Sequence, residues 1–487
     1  MRKMRFKREC IRHLTNTFGL ECYRPGQKRA VHTLLSGRDV LCVLPTGAGK
    51  SLCWQLPALV HPGLTVVVSP LIALMRDQVQ HLSALGIPAA SLDSLMSSQE
   101  RQRMTKRIRS GEIRIVFVSP ERLEQQAFRQ LCRDVPPWLI VVDEAHCVVR
   151  WGDSFRPAYH GIASFISMLK KRPAVCAMTA TADESMQRAI VSALQMKRPR
   201  RILLPILREN LVYTVLTTLD RTGQILQLQQ QTACRTVIFC RSRVRCEHLA
   251  ERLSTQGVSA AYYHAGMERA ERMSVQHRFQ SGTFEVLCAT TAFGMGVDIP
   301  DIRRVIHDYL PDTLIDYVQQ TGRCGRDGQR AECILLFEPN EIVRKASITR
   351  HAKAKYPWQP IRRQIYLRRF WQEQRKLLRV LFASACIPGG IARAFGSQSQ
   401  ACGVCSACRQ GVRLQRVPSF AGMKKWQLRA WLLRWQRDMA ARQKGVPAKK
   451  FVTDRQINTA ARSLVFPAGS QTPDELERLI AYFRRNE

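Results

Sequence analysis

The chain is poor in acid. Its 487 residues hold 38 Asp and Glu against 76 Lys and Arg, a formal charge of +38 with a pI near 10.4. Such an imbalance points to a polyanionic partner, nucleic acid first and an anionic membrane second. Long apolar runs are missing as well. The most apolar stretch, Leu56 to Met75, is cut by Pro57, Pro62, Gly63 and Pro70, so it reads as turn, buried strand and helix start rather than as a spanning helix. No apolar core of about 7–15 residues follows the basic Met1-Arg2-Lys3-Met4-Arg5, and a signal peptide is not expected. Internal repeats and low-complexity tracts are absent, which sets solenoids aside. Apolar residues at 45% and charged residues at 23% exclude a largely disordered chain. Thirteen of the 17 cysteines are scattered singly, many in apolar runs (Cys42, Cys176, Cys240, Cys288). Free thiols in a reducing compartment behave this way, so an intracellular, cytoplasmic protein is expected.

The length suits about three domains and is ample for two cores without disulfide staples. Charge divides the chain: residues 1–343 carry net +15, residues 344–487 net +23. Between Arg344 and Arg437 there are 21 basic side chains and one acid, Glu373. The first part alternates short apolar runs with amphipathic segments, the signature of parallel α/β sheets. Strands are predicted at Asp39–Leu44, Leu64–Ser69, Ile113–Ser119, Leu139–Asp143, Ala174–Thr179, Thr236–Cys240, Ala260–Tyr263, Val286–Ala289, Val305–His307 and Cys333–Phe337. Pro199–Pro205 separates two groups, so the fold class is α/β with two tandem doubly wound domains, 1–205 and 206–343. Helices are expected over Pro360–Ala385, then a cysteine cluster within 344–411, then a basic helical tail over 424–487.

Leu44-Pro45-Thr46-Gly47-Ala48-Gly49-Lys50-Ser51 follows a buried strand and precedes a helix. Glycines let backbone N–H groups close around phosphate oxygens, Lys50 supplies charge to the β and γ phosphates, and Ser51 can hold Mg²⁺. The strict pattern has Gly where this chain has Leu44. Asp143-Glu144-Ala145-His146 ends the strand Leu139–Val142, at the sheet edge where open α/β folds bind ligands. Asp143 can reach Mg²⁺ through water, Glu144 can orient and deprotonate the attacking water, and His146 can act as a relay. With Lys50 expected on a neighbouring strand, the pattern is that of nucleotide hydrolysis.

These residues are those of a superfamily 2 helicase, and from about Phe18 to Cys408 the chain resembles the RecQ DNA helicases. The resemblance implies two RecA-like domains with ATP and Mg²⁺ held between them. It implies that Phe18-Gly19-Leu20 and Tyr23-Arg24-Pro25-Gly26-Gln27 recognise adenine. A carboxamide such as Gln27 matches adenine's donor–acceptor edge, so ATP is favoured over GTP. With Arg24 and Gln27, the ATP-binding set is Thr46, Gly47, Gly49, Lys50 and Ser51. Ser69–Gln78 and Ser119–Leu123 resemble strand-contacting motifs, and Thr179-Ala180-Thr181-Ala182 resembles the motif linking ATP state to movement. Cys147 to Pro157 is similar to the family's aromatic-rich loop. There Trp151 and Phe155 would stack on unpaired bases, worth ~1–3 kcal/mol each, unless they are core residues, and Arg156 would report DNA occupancy. Arg150, Asp153 and Ser154 depart from the commoner Gln, His and Asp. Thr290–Asp298 resembles a nucleotide-facing loop. Gln319–Gly328 resembles an arginine-finger motif in which Arg323 and Arg326 face the γ-phosphate, an effect worth roughly 10³–10⁵ in rate. Gln320 stands where Glu is usual and Ile299 where a polar residue is usual.

Cys386, Cys402, Cys405 and Cys408 form a four-thiolate set with two short spacings. Tetrahedral structural Zn²⁺ is the natural reading, with an iron–sulfur cluster as rival. The set matches the RecQ zinc subdomain, with Arg362-Arg363-Gln364 before it and Ala394-Phe395-Gly396 inside it. Arg393, Arg409, Arg413 and Arg416 would face duplex DNA or simply solvent. After Cys408, 79 residues leave no room for both a winged helix and an HRDC module. Leu428–Leu433, Gly445–Ala448, Phe451–Asp454 and Pro473–Phe483 resemble a shortened HRDC module, with Trp426, Trp431 and Trp435 near one helical face. The expectation is an ATP-dependent DNA helicase moving 3′→5′ on single strands in recombination or repair, within an assembly if it has protein partners. A translocase that does not separate strands, a zinc-stapled DNA-binding protein with weak ATPase, and an RNA substrate are the alternatives.

Overall fold

The computed structural model describes residues 2–409 apart from 71, 94–95, 151–158, 160, 219, 294–298, 339–340, 342–344, 346–357, 359, 384–385 and 399. One unit ends at Ile206 and the other begins at Leu207.

The first unit is built on seven parallel strands. They are β1 (Val40–Val43), β2 (Leu64–Val68), β3 (Ala89–Leu92), β4 (Ile115–Val118), β5 (Pro137–Val142), β6 (Ala174–Thr179) and β7 (Arg200–Leu203), in the order β3-β4-β2-β5-β6-β1-β7. Strands β1, β2, β4 and β6 are buried at every position, which is why their sequences read as continuous apolar runs rather than alternating ones. Two apolar layers cover the sheet. One gathers Leu41, Val66, Ile140, Phe128 and Phe165; the other gathers Val40, Cys42, Val67, Val141, Trp54 and Phe117. Alternate residues of one strand thus serve opposite faces.

The second unit holds β8 (Leu211–Thr217), β9 (Thr236–Phe239), β10 (Ala260–Tyr263), β11 (Val286–Ala289), β12 (Arg304–His307) and β13 (Ala331–Phe337), ordered β10-β11-β9-β12-β13-β8 and again parallel. Ile299, set where a polar residue is usual, is buried. Gln320 is buried too, and its Oε1 accepts from Nε2 of the buried His307 at 2.8 Å. Burial pulls the His307 imidazole down to about 4, against the opposing pull of the Gln320 hydrogen bond.

Helix Pro360–Leu378 runs into a π-helical turn, Arg379–Ala383, and then helices Ile387–Ala394 and Ser406–Arg409. This region is tied to the second sheet. Gln374 Nε2 donates to the carbonyls of Asp312 (2.6 Å) and Pro311 (3.1 Å), and the Val215 N–H of edge strand β8 donates to Ser406 Oγ at 3.1 Å. No helix among the described residues is long and apolar enough to cross a membrane.

Three strands escaped the sequence reading: β3, β7 and β8. The segment read as a separator contains β7, which pairs with β1 from Val40–Arg200 to Val43–Leu203. Only one of its four residues is buried, so an edge strand with two arginines carries no apolar signal.

The start of β1 is fixed by one buried carboxylate. Asp39 accepts two bonds from the Arg172 guanidinium (2.7 and 3.0 Å) and one each from the N–H groups of Val175 (3.0 Å) and Lys197 (2.6 Å). Removing one partner of a buried, fully hydrogen-bonded pair costs about 3–5 kcal/mol; Arg172 is partly exposed, so the lower end applies to Asp39→Ala. Urea denaturation of this variant should show the first unit losing about 3 kcal/mol. The His307 shift has its own consequence. The folded imidazole titrates below the unfolded one, so it contributes stability present above about 6.5 and lost as pH falls toward 4. Gln320→Glu places a carboxylate against the ring, and an NMR titration should find His307 raised from about 4.

Candidate nucleotide and metal sites

The residues expected to handle nucleotide meet at the C-terminal edge of the first sheet. The loop Pro45–Ser51 leaves β1, with Gly47 at φ 85° and Gly49 at φ 71°, conformations that favour glycine. A Cβ on Gly49 would lie 2.6 Å from Gln27 Nε2, so the loop is closed from above by Gln27. Helix Leu52–Val60 then begins, and its first turn is anchored by the N–H of Gln55 donating to the Ser51 carbonyl at 2.9 Å. A loop with two left-handed glycines entering a helix N-terminus is the backbone arrangement that receives phosphate.

Arg24 and Gln27 reach this loop, though not as free recognition groups. Arg24 Nη1 donates to the Gly47 carbonyl at 2.6 Å. Gln27 is buried; its Nε2 donates to the carbonyls of Gly49 (3.0 Å) and Ala48 (3.2 Å), and its Oε1 accepts from the Arg24 N–H at 2.8 Å. The segment expected to face adenine and the glycine loop are therefore one hydrogen-bonded body.

Strand β5 delivers Asp143 and Glu144. The two strands expected to be neighbours are not: β6 lies between β5 and β1. It bridges them. The Ala145 N–H donates to the Met178 carbonyl (2.7 Å), and the Leu44 N–H to the Thr179 carbonyl (3.1 Å). Glu144 is held at φ 45°, an unusual backbone for a residue with a side chain, and its N–H donates to Asp143 Oδ1 at 2.9 Å. Burial pushes the Asp143 carboxyl up, the neighbouring Glu144 charge pushes the same way, and Lys50 pulls it down. A divalent cation would reverse that balance by holding both carboxylates ionised, so the residues present fit Mg²⁺. The buried His146 pairs through Nδ1 with Glu144 Oε2 (3.2 Å) and Thr179 Oγ1 (3.1 Å), and Thr179 Oγ1 donates to the Thr181 carbonyl at 3.1 Å. Asp-Glu-Ala-His and Thr-Ala-Thr-Ala are thus joined through one imidazole.

A residue that sequence reasoning missed is Asp93, at the end of β3. Arg76 donates to it through Nε and Nη2 (2.8 and 2.9 Å), while Arg122 donates to the carbonyls of Asp93 (2.8 Å) and Leu92 (3.3 Å). The two segments resembling strand-contacting motifs converge there. A lone Asp in an undetected strand gave no signal.

In the second unit Arg323 and Arg326 stand half-buried on the turn after helix Leu314–Thr321. Arg208 Nη2 donates to the carbonyls of Cys324 (2.6 Å) and Gly322 (2.8 Å), and its Nη1 to that of Gly325 (3.0 Å). Trp151, Phe155 and Arg156 lie outside the described residues, as do 294–298 and the tail from 410 onward.

The four cysteines do come together. Sγ atoms of Cys386, Cys402, Cys405 and Cys408 all lie within 4.8 Å of one another. Backbone N–H groups point at them: Cys402 and Gly389 donate to Cys386 Sγ (3.3 and 3.4 Å), and Cys405 donates to Cys402 Sγ (3.4 Å). Four thiolates at about 2.3 Å from one Zn²⁺ sit about 3.8 Å apart, and Cys402 Sγ is 3.9 Å from Cys408 Sγ. The spacing suits a single ion and leaves no volume for several irons and sulfides.

The fold and site define a two-domain helicase core. Residues 24–189 match the family model for the DEAD/DEAH box helicase, and residues 218–328 that for the helicase conserved C-terminal domain. The chain is 40% identical over 331 residues to "ATP-dependent DNA helicase RecQ" of Haemophilus influenzae, covering 68% of this chain and 53% of that protein. It is 37% identical over 346 residues to "Probable ATP-dependent DNA helicase RecS" of Bacillus subtilis, covering 68% of each. Among solved structures it is similar to the DUF1998 helicase MrfA bound to DNA (TM-score 0.59, 20% identity, 72% of this chain, 53% of that one). It is also similar to Saccharomyces cerevisiae Dbp5 bound to RNA and ADP BeF3 (TM-score 0.55, 16% identity, 68% and 87%). The chain belongs to the RecQ family of superfamily 2 helicases. It spans about half the length of the first curated relatives it matches.

Metal content tests the cysteine site. Purified protein should carry one zinc per chain by mass spectrometry, and Cys405→Ser, at a buried thiol, should lose it.

Proposed function

We propose that the protein is an ATP-dependent DNA helicase that couples ATP hydrolysis to 3′→5′ movement on single-stranded DNA and to strand separation, in recombination or repair. The observation that carries the reading is the junction of Lys50, Asp143, Glu144, His146 and Thr179 at three adjoining strand ends of one sheet.

In this reading Thr46, Gly47, Gly49, Lys50 and Ser51 receive the phosphates, and Arg24 and Gln27 hold the loop against the adenine end. Ser51 and Asp143 hold Mg²⁺, which supplies charge neutralisation at the phosphates. Glu144 accepts the proton of the attacking water. His146 then feels whether Glu144 is engaged and passes the difference to Thr179 and Thr181. Arg323 and Arg326 bring positive charge to the γ-phosphate. Trp151, Phe155 and Arg156 engage the DNA. Zn²⁺ on the four cysteines is structural, since the ligand set holds no His, Asp or Glu and no open position. The domains are 1–205 and 206–343, with a zinc subdomain over 344–411 and a basic tail over 424–487. The +38 charge supports nucleic acid as partner, and binding should weaken steeply with salt.

Strand displacement on 3′-tailed and 5′-tailed duplexes tests the reading directly. The 3′-tailed substrate alone should be unwound, and ATP turnover should rise with single-stranded DNA. Glu144→Gln should bind ATP yet lose ~10²–10⁴ in turnover. Stimulated turnover without displacement would show a translocase; absence of stimulated turnover would leave a DNA-binding protein.

A further inference from the structure

We propose that Arg208 is a positioning residue for ATP hydrolysis: its guanidinium, seated on three carbonyls of the turn after helix Leu314–Thr321, fixes the direction from which Arg323 and Arg326 project. The inference rests on the reading of those two arginines as the γ-phosphate charges.

The geometry is specific. One planar fork spans the carbonyls of Gly322, Cys324 and Gly325, at 2.8, 2.6 and 3.0 Å. These interleave with Arg323 and Arg326, so every peptide flanking the two arginines is either bound or next to a bound one. Asn210, two residues on, donates from Nδ2 to the carbonyls of Gly325 (2.8 Å) and Gln329 (2.7 Å), closing the far side of the turn. Gly325 adopts φ 55°, and a Cβ there would lie 2.6 Å from Asn210 Nδ2 and 2.8 Å from the Gln329 carbonyl oxygen. The turn is pressed against its clamp with no slack for a side chain. Cys324, between the two arginines, is buried and its Sγ donates to the carbonyls of Glu332 (3.4 Å) and Ile302 (3.5 Å). The backbone is pinned while Arg323 and Arg326 are themselves half-buried.

Capping a helix end needs far less than this. A glycine in the left-handed region or a surface lysine satisfies the last carbonyls. Here the fold half-buries a guanidinium that has no carboxylate partner among the described residues, balancing it with carbonyl dipoles of the turn after a helix. Burial lowers its pKa; Tyr213 and Cys333 oppose this, and the nearby positive charge of Arg326 adds a lesser downward pull. A cation held by a planar fork cannot be replaced by the point charge of lysine.

The test is a double-mutant cycle on the full chain, reading DNA-stimulated ATP turnover together with single-strand affinity. Arg208→Lys should lower kcat by ~10²-fold, the scale on which small misplacements act. DNA affinity should stay within about twofold, because only the step at the γ-phosphate is touched. In the Arg323→Ala/Arg326→Ala background the same change should cost less than about threefold, since neither guanidinium is left to aim. Asn210→Ala, which removes two hydrogen bonds and no charge, should show the same non-additivity with a smaller loss, and it carries the test if Arg208→Lys does not fold. Equal losses in both backgrounds would make the clamp merely structural and overturn the proposal, as would an Arg208→Lys enzyme of parental kcat. Arg326→Ala with unchanged kcat would instead remove the finger reading itself, a different failure seen in a different variant.

Discussion

The register of β5, β6 and β1 is the constraint on which the nucleotide site depends. Ala145 and Leu44 each donate to consecutive carbonyls at the end of β6, so the carboxylate pair and the phosphate loop are set from one central strand. A residue's slip in β6 would move both at once, and would also turn Thr179 away from His146. The chemistry is therefore carried by sheet geometry, which is stiff, rather than by the loops that display it. Asp39 guards the other end of the same three-strand set, binding Arg172 and Val175 just before and at β6 while preceding β1 directly.

Electrostatics are handled in two ways in the two units. In the first, negative charge is crowded: Asp143 and Glu144 adjoin, and the fold leaves Lys50 and His146 to oppose them. In the second, positive charge is crowded, with Arg208 near Arg326. Each arrangement is unfavourable alone: the first suits a bound cation and the second a bound anion. The unusual φ of Glu144 is local strain at the position proposed to activate water.

Much of this was legible in the sequence, for physical reasons. Strands buried on both faces, such as Val40–Val43 and Leu64–Val68, announce themselves as apolar runs, and the phosphate loop and cysteine spacings encode their geometry in a few residues. What stayed hidden was whatever depends on distant pairing. The edge strand Arg200–Leu203 looks like a basic linker because three of its four residues face solvent. Asp93 is an isolated acid until Arg76 and Arg122 fold onto it. Gln320 looks like a departure at a charged position, yet it is the neutral partner that a buried imidazole requires. Arg208 is one arginine among many until its three carbonyls are seen. The order of strands was hidden too: two motifs assumed to be adjacent are separated by β6, and that separation is what links them.

The cysteine cluster has a consequence for handling the protein. Four sulfurs within 4.8 Å, steered by backbone N–H groups, stand near the separations from which a disulfide closes with small movement. An ion shared by all four would keep them apart and occupy their lone pairs. Without such an ion an oxidant would find several thiol pairs to cross-link, all close to the Ser406 contact with the edge of β8. Air and chelator together should thus damage the second unit by a route that neither opens alone.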